Sequence, residues 1–508
     1  MELKGSFLQW PADRPLLSRT IAFVLGLLFT AGFAPLGLSL LVIVVLVPLL
    51  YVFHTAAPRD AAWHGFCFGL GAFLSGTYWI HISVSGFGGA PWYVAWLLVF
   101  ILVGVMATFL AITGWLSSRL SFGEPMLLLG VAPASWVLID WLRGWVFTGF
   151  PWLAIGYAQS DSWLAGWAPL LGVYGASFAA VLSATAVVVV FLTQQASRLI
   201  AAALAVLPFL LGGLAARIEW TEPAGPPLTA TVIQAGIPQD QKWQPEMLEP
   251  TLTFYRTETL RAADSDIVLW PEVAIPSVHD LMGSYIDRLG ADARAAGQSI
   301  IFGILERQTE RGVTSIYNSL FLVDGYKQQS YRKRHLVPYG EYFPIPNFMR
   351  SAFEMTFIPQ SDLTPGEDVQ PLLVHGADTP LAAAICYEDA YGAEQLYALP
   401  DARLLMNVSN DAWFGDSIAP MQHLQIARMR SIEAQRDTVR ATSTGISAFI
   451  DYRGRLLETG AQFEPVVMTR DVQPRRGATP YVRTGNPPIL VLCGLLLATA
   501  WVRIRGIF

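Results

Sequence analysis

Seven apolar runs, then 269 mostly polar residues, then one more apolar run: this pattern leaves the 508-residue chain few ways to fold. The runs lie near 17–34, 37–54, 63–84, 92–117, 125–142, 168–192, 198–216 and 488–502. A bilayer-crossing helix needs about 20 mostly apolar residues. Inside lipid every backbone N–H and C=O must find a partner within the protein, which a helix provides by itself. The expectation is a polytopic α-helical membrane domain of eight transmembrane helices, seven in 1–216 and the eighth in 486–508, with a polar domain at 217–485. The first run has no small-x-small cleavage pattern and a second span follows at once, so it reads as a retained helix.

Charge divides the chain in the same way. The two apolar parts hold nine of the 33 Lys/Arg and six of the 39 Asp/Glu, which leaves the polar part acidic by nine charges. An acidic domain argues against a nucleic-acid partner, which favours a basic face. Basic residues in short loops mark the cytoplasmic side. Lys4, Arg14, Arg19, Arg59, Arg119, Arg198, Arg503 and Arg505 share one side, whereas the short loops of the other carry Arg143 alone. Both termini are then expected in the cytoplasm. The polar domain is expected outside, which in a bacterium is the periplasmic side of the inner membrane. The aromatic stretch WLRGWVFTGFPWLAIGYA, 141–158, is too broken by Gly144, Gly149 and Pro151 for a simple span. It reads as an interfacial or re-entrant segment, or as a tight outer loop.

Within the polar domain, strand-like runs at 228–236, 265–273, 299–306, 317–324, 381–388, 403–409 and 445–451 alternate with helical patterns near 245–263, 279–296 and 419–437. Such alternation implies an α/β layered fold. Between 337 and 360 lies a long Pro- and aromatic-rich loop with no clean period, a candidate gate or lipid contact.

Only one of the three cysteines, Cys386, falls in the polar domain, so it is expected to be a free thiol. A lone strand-end Cys is usually a small buried hydrophobe. Three further stretches change its meaning. WPEVAIP puts Glu272 at the end of an apolar strand, and a carboxylate in apolar surroundings is the better base. YRKRHLVPYGEYFP carries Lys333, an ammonium able to stabilise a thiolate or an oxyanion, with Glu341 eight residues on. NVSNDAWFGDS is a turn after a strand, of the kind that shapes pocket rims. Strand ends are the usual place for an α/β active site. Glu272, Lys333 and Cys386 each follow an apolar strand and can converge there. No zinc spacing, P-loop or dinucleotide glycine motif appears.

The Glu–Lys–Cys order, with WPEVAIP, YRKRHLVPYGEYFP, ICYED and NVSNDAWFG, resembles the nitrilase, or carbon–nitrogen hydrolase, superfamily. Joined to eight spans with the polar domain before the last, the chain resembles the membrane-embedded apolipoprotein N-acyltransferase family over nearly its whole length. The resemblance implies an α-β-β-α sandwich, no cofactor, and a Glu272–Lys333–Cys386 triad. It further implies ping-pong acyl transfer from the sn-1 position of a phospholipid, with phosphatidylethanolamine the expected donor. The acyl group would pass through a Cys386 thioester to the N-terminal amine of a diacylglyceryl apolipoprotein. By the same likeness Glu341 and Glu388 would orient Lys333 and the polar groups, and Trp243 and Tyr387 would line the pocket. Two other readings stay open. One is a membrane-tethered amidase that hands its acyl group to water. The other is a transporter or scaffold, although its spans would hold few polar residues for transport.

Overall fold

The computed structural model describes residues 14–121, 123–342 and 362–506. Two compact units emerge. One comprises the residues up to His81, Trp92–Ile218 and those from Thr484 onward; the other comprises Ile82–Pro91 and Glu219–Arg483.

The first unit is helical. Among the described residues six segments are long and apolar enough to cross a membrane: Pro15–Gly32, Trp92–Ser121, Pro125–Arg143, Trp163–Leu192, Gln195–Ala215 and Pro487–Arg505. A seventh arises if Pro58–Thr77 and Ile80–Phe87, bent by 56°, count as one span, and Ser39–Thr55 is apolar but only 17 residues long. The eight expected runs are thus six full-length helices, one bent pair and one short helix. By length and composition the chain is a multi-pass membrane protein. Small residues set its packing, as lipid-embedded helices require: a Cβ on Gly26 would lie 2.0 Å from the Phe68 carbonyl oxygen.

The aromatic stretch after Arg143 is not a continuous helix. It folds as short turns at Val146–Thr148 and Ile155–Ala158. Buried Arg143 pairs with Asp140 at 2.7 Å and donates to the carbonyls of Phe150 and Trp152. The irregular backbone is therefore satisfied by protein, while Trp145 and Phe147 are exposed.

The second unit is built on two large sheets. The first runs β14–β2–β3–β5–β6–β7, from β2 (Leu228–Gln234), β3 (Ile267–Leu269), β5 (Ser299–Glu310), β6 (Val313–Val323), β7 (Gln328–Arg332) and β14 (Val466–Val472), with β4 (Ile275–Val278) also on β5. The second runs β13–β12–β11–β10–β9–β8, from β8 (Leu373–His375), β9 (Thr379–Ile385), β10 (Leu404–Ser409), β11 (Thr438–Thr442), β12 (Ala448–Ile450) and β13 (Leu456–Thr459). β1 (Thr221–Pro223) pairs with β15 (Arg475–Gly477).

Strand alternation divides the cores. Ala230, Val232, Ile267, Leu269 and Ile301 of the first sheet meet Leu381, Ala383, Ile385, Met406 and Val408 of the second in one buried cluster. The intervening residues Ile233, Val268, Trp270, Ile300 and Phe302 face the other way, onto helices Pro245–Arg261 and Gly283–Ala296. Helix Ala419–Ala434 packs on the outer face of the second sheet through Leu424 and Ala427 against Ala448 and Ile450. The layers are helix, sheet, sheet, helix, as the period-2 pattern of strands with two apolar faces requires.

The segment Ile82–Pro91 folds with this unit although it joins two apolar helices. The Ser83 hydroxyl donates to the Trp413 carbonyl at 2.6 Å, and the Phe87 and Trp413 rings meet edge-on.

Candidate active site

Three strand ends deliver the candidate triad. β3 is followed by buried Trp270, then Pro271 and Glu272; β7 ends at Arg332, directly before Lys333; β9 ends at Ile385, directly before Cys386. The turn carrying Glu272 rests on β5 at Gly303, where a Cβ would lie 2.4 Å from Val273 N and 2.6 Å from Pro271 O. Only glycine leaves room there. Val273 has φ of 45° and Cys386 has φ of 54°. Left-handed backbone at non-glycine residues costs of order 1–3 kcal/mol and clusters at functional sites.

The structure brings Glu272, Lys333 and Glu341 into contact, and Cys386 lies within reach of the charges of Glu272 and Lys333. Lys333 Nζ, 1% exposed, lies 2.8 Å from Glu341 Oε2 and 3.5 Å from Glu272 Oε1. Burial alone would strip its proton, but the charges of Glu341, Glu272 and Cys386 outweigh burial and raise its pKa above the ordinary value. Lys333 is a fixed cation. The Cys386 thiol is pushed well up, first by burial and then by the charge of Glu272, with Lys333 opposing. One ammonium between two carboxylates leaves no net positive charge to hold a resting thiolate. The thiol therefore keeps its proton until a base takes it.

Glu272 is the carboxylate with room for that proton. Glu341 is saturated: its oxygens accept from Lys333, from the Asn318 amide at 3.2 Å and from the Val337 N–H at 2.7 Å. Glu272 Oε1 accepts from Asn318 at 2.7 Å.

Glu388 acts on the backbone around Lys333 and Cys386. It does not touch the Lys333 ammonium. It accepts from the N–H groups of Arg334 and His335, just after Lys333, from the N–H of Ile385, just before Cys386, and from the Tyr331 hydroxyl. Burial raises its pKa, against the Ile385 and Arg334 N–H bonds. Tyr387 packs edge-on against His335 and Tyr391. Trp243 caps the short helix Gln239–Lys242 and is 51% exposed. Its neighbour Lys242 is buried and donates to the Glu272 carbonyl at 3.2 Å, and burial lowers its pKa to about 8 against the charge of Glu272.

Behind Cys386 lies a buried polar network that joins Ser409 and Asp411 of the NVSNDAWFGDS turn to His423 and Arg440, which the sequence did not mark. His423 Nε2 is 3.2 Å from the Cys386 carbonyl, and His423 Nδ1 is 2.8 Å from Asp411. Asp411 also takes Arg440 at 3.0 Å and the Ser409 hydroxyl at 2.7 Å. Burial would raise the Asp411 carboxyl, but His423 and Arg440 hold it down to about 2. Asn318, joined to both Glu272 and Glu341, was also missed. Among the described residues no group of three or more His, Cys, Asp or Glu is placed to hold a metal. Of the 337–360 loop, residues 343–360 lie outside the described residues.

A buried thiol, a carboxylate with an oxygen to spare and a buried ammonium stand at the strand ends of an α-β-β-α sandwich, an arrangement whose chemistry suits acyl transfer through a thiol. Residues 229–481 match the carbon–nitrogen hydrolase family model, and residues 25–186 match the apolipoprotein N-acyltransferase N-terminal domain. An apolipoprotein N-acyltransferase of Methylococcus capsulatus is 39% identical over 96% of this chain and 96% of its own. One of Nitrosomonas europaea is 40% identical over 94% and 95%, and one of Azotobacter vinelandii 38% over 98% and 96%. The chain belongs to the apolipoprotein N-acyltransferase family.

Proposed function

We propose that this chain N-acylates apolipoproteins, moving a fatty acyl group from a membrane phospholipid to the N-terminal amine of a diacylglyceryl-cysteine by way of Cys386. Cys386 Sγ attacks the sn-1 ester carbon while Glu272 takes the thiol proton. The carbonyl electron pair moves onto oxygen beside Lys333. Collapse breaks the C–O bond, and the leaving lysophospholipid oxygen recovers the proton from Glu272. This leaves a thioester, which an amine attacks more readily than it attacks an ester. In the second half-reaction the α-amine adds, Glu272 accepts its proton, and the sulfur leaves and is reprotonated. The product is an amide. A free α-amine has a pKa near 8, so the base makes it nucleophilic at neutral pH.

The observation that carries this reading is the unequal pair of carboxylates around Lys333, one saturated and one with an oxygen to spare. Eight spans, with the bent pair and the short helix both counted, fit an even number of crossings. Together with the basic loops, they support cytoplasmic termini and a catalytic domain outside the inner membrane. Phosphatidylethanolamine is the proposed donor. Trp243 and Tyr387 are proposed to contact the acyl substrates.

The test is to incubate the purified protein with phosphatidylethanolamine and a diacylglyceryl peptide bearing a free N-terminus. Mass spectrometry should find one acyl group on the peptide amine and lysophospholipid in equal amount. Free fatty acid in place of acylated peptide would point instead to a tethered hydrolase.

A further inference from the structure

Asn318 joins the two carboxylates and the lysine of the proposed site. It is buried in β6, and its main-chain carbonyl accepts the Lys333 N–H at 2.8 Å. Its side-chain Nδ2 donates to Glu272 Oε1 at 2.7 Å and to Glu341 Oε1 at 3.2 Å. The amide cannot turn over, because Oδ1 would then face two carboxylate oxygens. As it stands, Oδ1 is buried and accepts no hydrogen bond among the described residues. An unpaired buried acceptor is costly. The carboxylates, not the amide's own satisfaction, therefore set its orientation.

The donation of this amide to Oε1 makes the two oxygens of Glu272 unequal. Oε1 is occupied by Asn318 and has Lys333 Nζ at 3.5 Å. Oε2 accepts no hydrogen bond among the described residues. We propose that Asn318 is a positioning residue that reserves Oε2 of Glu272 as the proton-carrying oxygen and keeps Glu341 out of the proton transfer. The inference rests on Glu272 being the base in the reaction above. As the S–C bond forms, the thiol proton passes to Oε2; as the C–O bond breaks, Oε2 returns it to the leaving oxygen. A donor to a carboxylate favours its charged form, and Asn318 is that donor to Glu272. Removing the amide takes away that donor and leaves Glu272 beside Glu341, Lys333, Lys242 and Cys386 with neither oxygen singled out.

The test needs no lipid. The full chain in detergent is treated with iodoacetamide across a pH range, and the rate of alkylation at Cys386 is followed by peptide mass spectrometry, with melting temperature measured alongside. In the unaltered protein the rate at acidic pH should rise through a limb set by ionisation of the base, and Glu272→Gln should abolish that limb. Asn318→Ala should move the limb up by about one pH unit, the size expected for one lost hydrogen bond to a charged group. The isosteric Asn318→Asp should move it further, since it adds a negative charge beside the base. Either variant decides the matter if the other does not fold. A residue that serves only packing would lower the melting temperature and leave the limb in place, and that result overturns the inference while Glu272 stands as base. A limb that survives Glu272→Gln overturns the base assignment itself.

Discussion

Glu388 Oε1 accepts the backbone N–H of Arg334 at 2.7 Å, across 54 residues of chain. Its other oxygen accepts the N–H of Ile385 at 2.7 Å. One carboxylate thus ties the residue after Lys333 to the residue before Cys386, and so fixes the ammonium of one sheet against the thiol of the other. Glu388→Ala should leave these N–H groups and the Tyr331 hydroxyl unpaired, at roughly 1–3 kcal/mol each. The expected outcome is a large drop in melting temperature and loss of Cys386 acylation. Glu388→Gln, which can still accept through its carbonyl, should retain more of both. Equal melting temperatures for Glu388→Ala and the parent would contradict this role.

Lys333 is the only cation paired with the side-chain carboxylates of both Glu272 and Glu341 among the described residues. Lys333→Met should cost about 3–5 kcal/mol of stability, the usual result of leaving buried carboxylates unpaired. It should also slow acylation by at least about 10²-fold, the scale of one lost oxyanion donor. Adding Glu341→Gln to Lys333→Met should recover stability without recovering rate. Thermal melts and single-turnover acylation separate the two effects.

Burial, and after it the charge of Glu272, pushes the Cys386 thiol up. Glu272→Gln removes that negative charge and leaves Lys333. The thiol should then ionise at lower pH, so the alkaline midpoint of alkylation falls. Acyl-enzyme formation at pH 7 should fall by about 10²–10⁴-fold through loss of the base. A thiol that becomes easier to ionise and yet slower with ester is the signature of base-assisted attack, as opposed to a preformed thiolate.

Asp411 is held down to about 2 by His423 and Arg440 against burial. A carboxyl with a depressed folded pKa lends stability above its unfolded value, near 4. That stability is lost as pH falls toward 2. Its share at neutral pH is about 2 kcal/mol. Asp411→Asn should therefore lower the melting temperature at pH 7 and flatten its decline between pH 4 and 2. Because His423 links Asp411 to the Cys386 carbonyl, the same variant should slow acylation. Parallel pH dependence of melting in both proteins would contradict the assignment.

Much of this was legible before the fold, for a physical reason. Glu272 and Cys386 stand at breaks in apolar periodicity, where a strand must end and a polar residue needs a purpose, whereas Lys333 stood out through its basic cluster YRKRH. Asn318 was not legible, because in YNSLFLV a buried Asn looks like the polar phase of a half-exposed strand. Its part appears only once the β6–β7 register places it opposite Lys333. His423 sits on helix Ala419–Ala434, which is buried on nearly every side, so no polar stripe set it apart. β7, QQSYR, carries too few apolar residues to announce a strand, and β14, VVMTRDV, breaks its apolar run at Thr469–Asp471, so pairing with β6 and β2 decides them. In the helical unit the run 63–84 looked continuous, yet it bends by 56° and its far end folds with the α/β unit.

The central claim is a covalent acyl-enzyme on Cys386. The direct measurement is intact and peptide mass spectrometry of the purified chain after incubation with phosphatidylethanolamine and no acceptor. The account predicts one fatty acyl group on Cys386, labile to neutral hydroxylamine, absent in Cys386→Ala, and discharged when a diacylglyceryl peptide with a free N-terminus is added. No adduct with any phospholipid, or an adduct that water clears as fast as it forms, would contradict it.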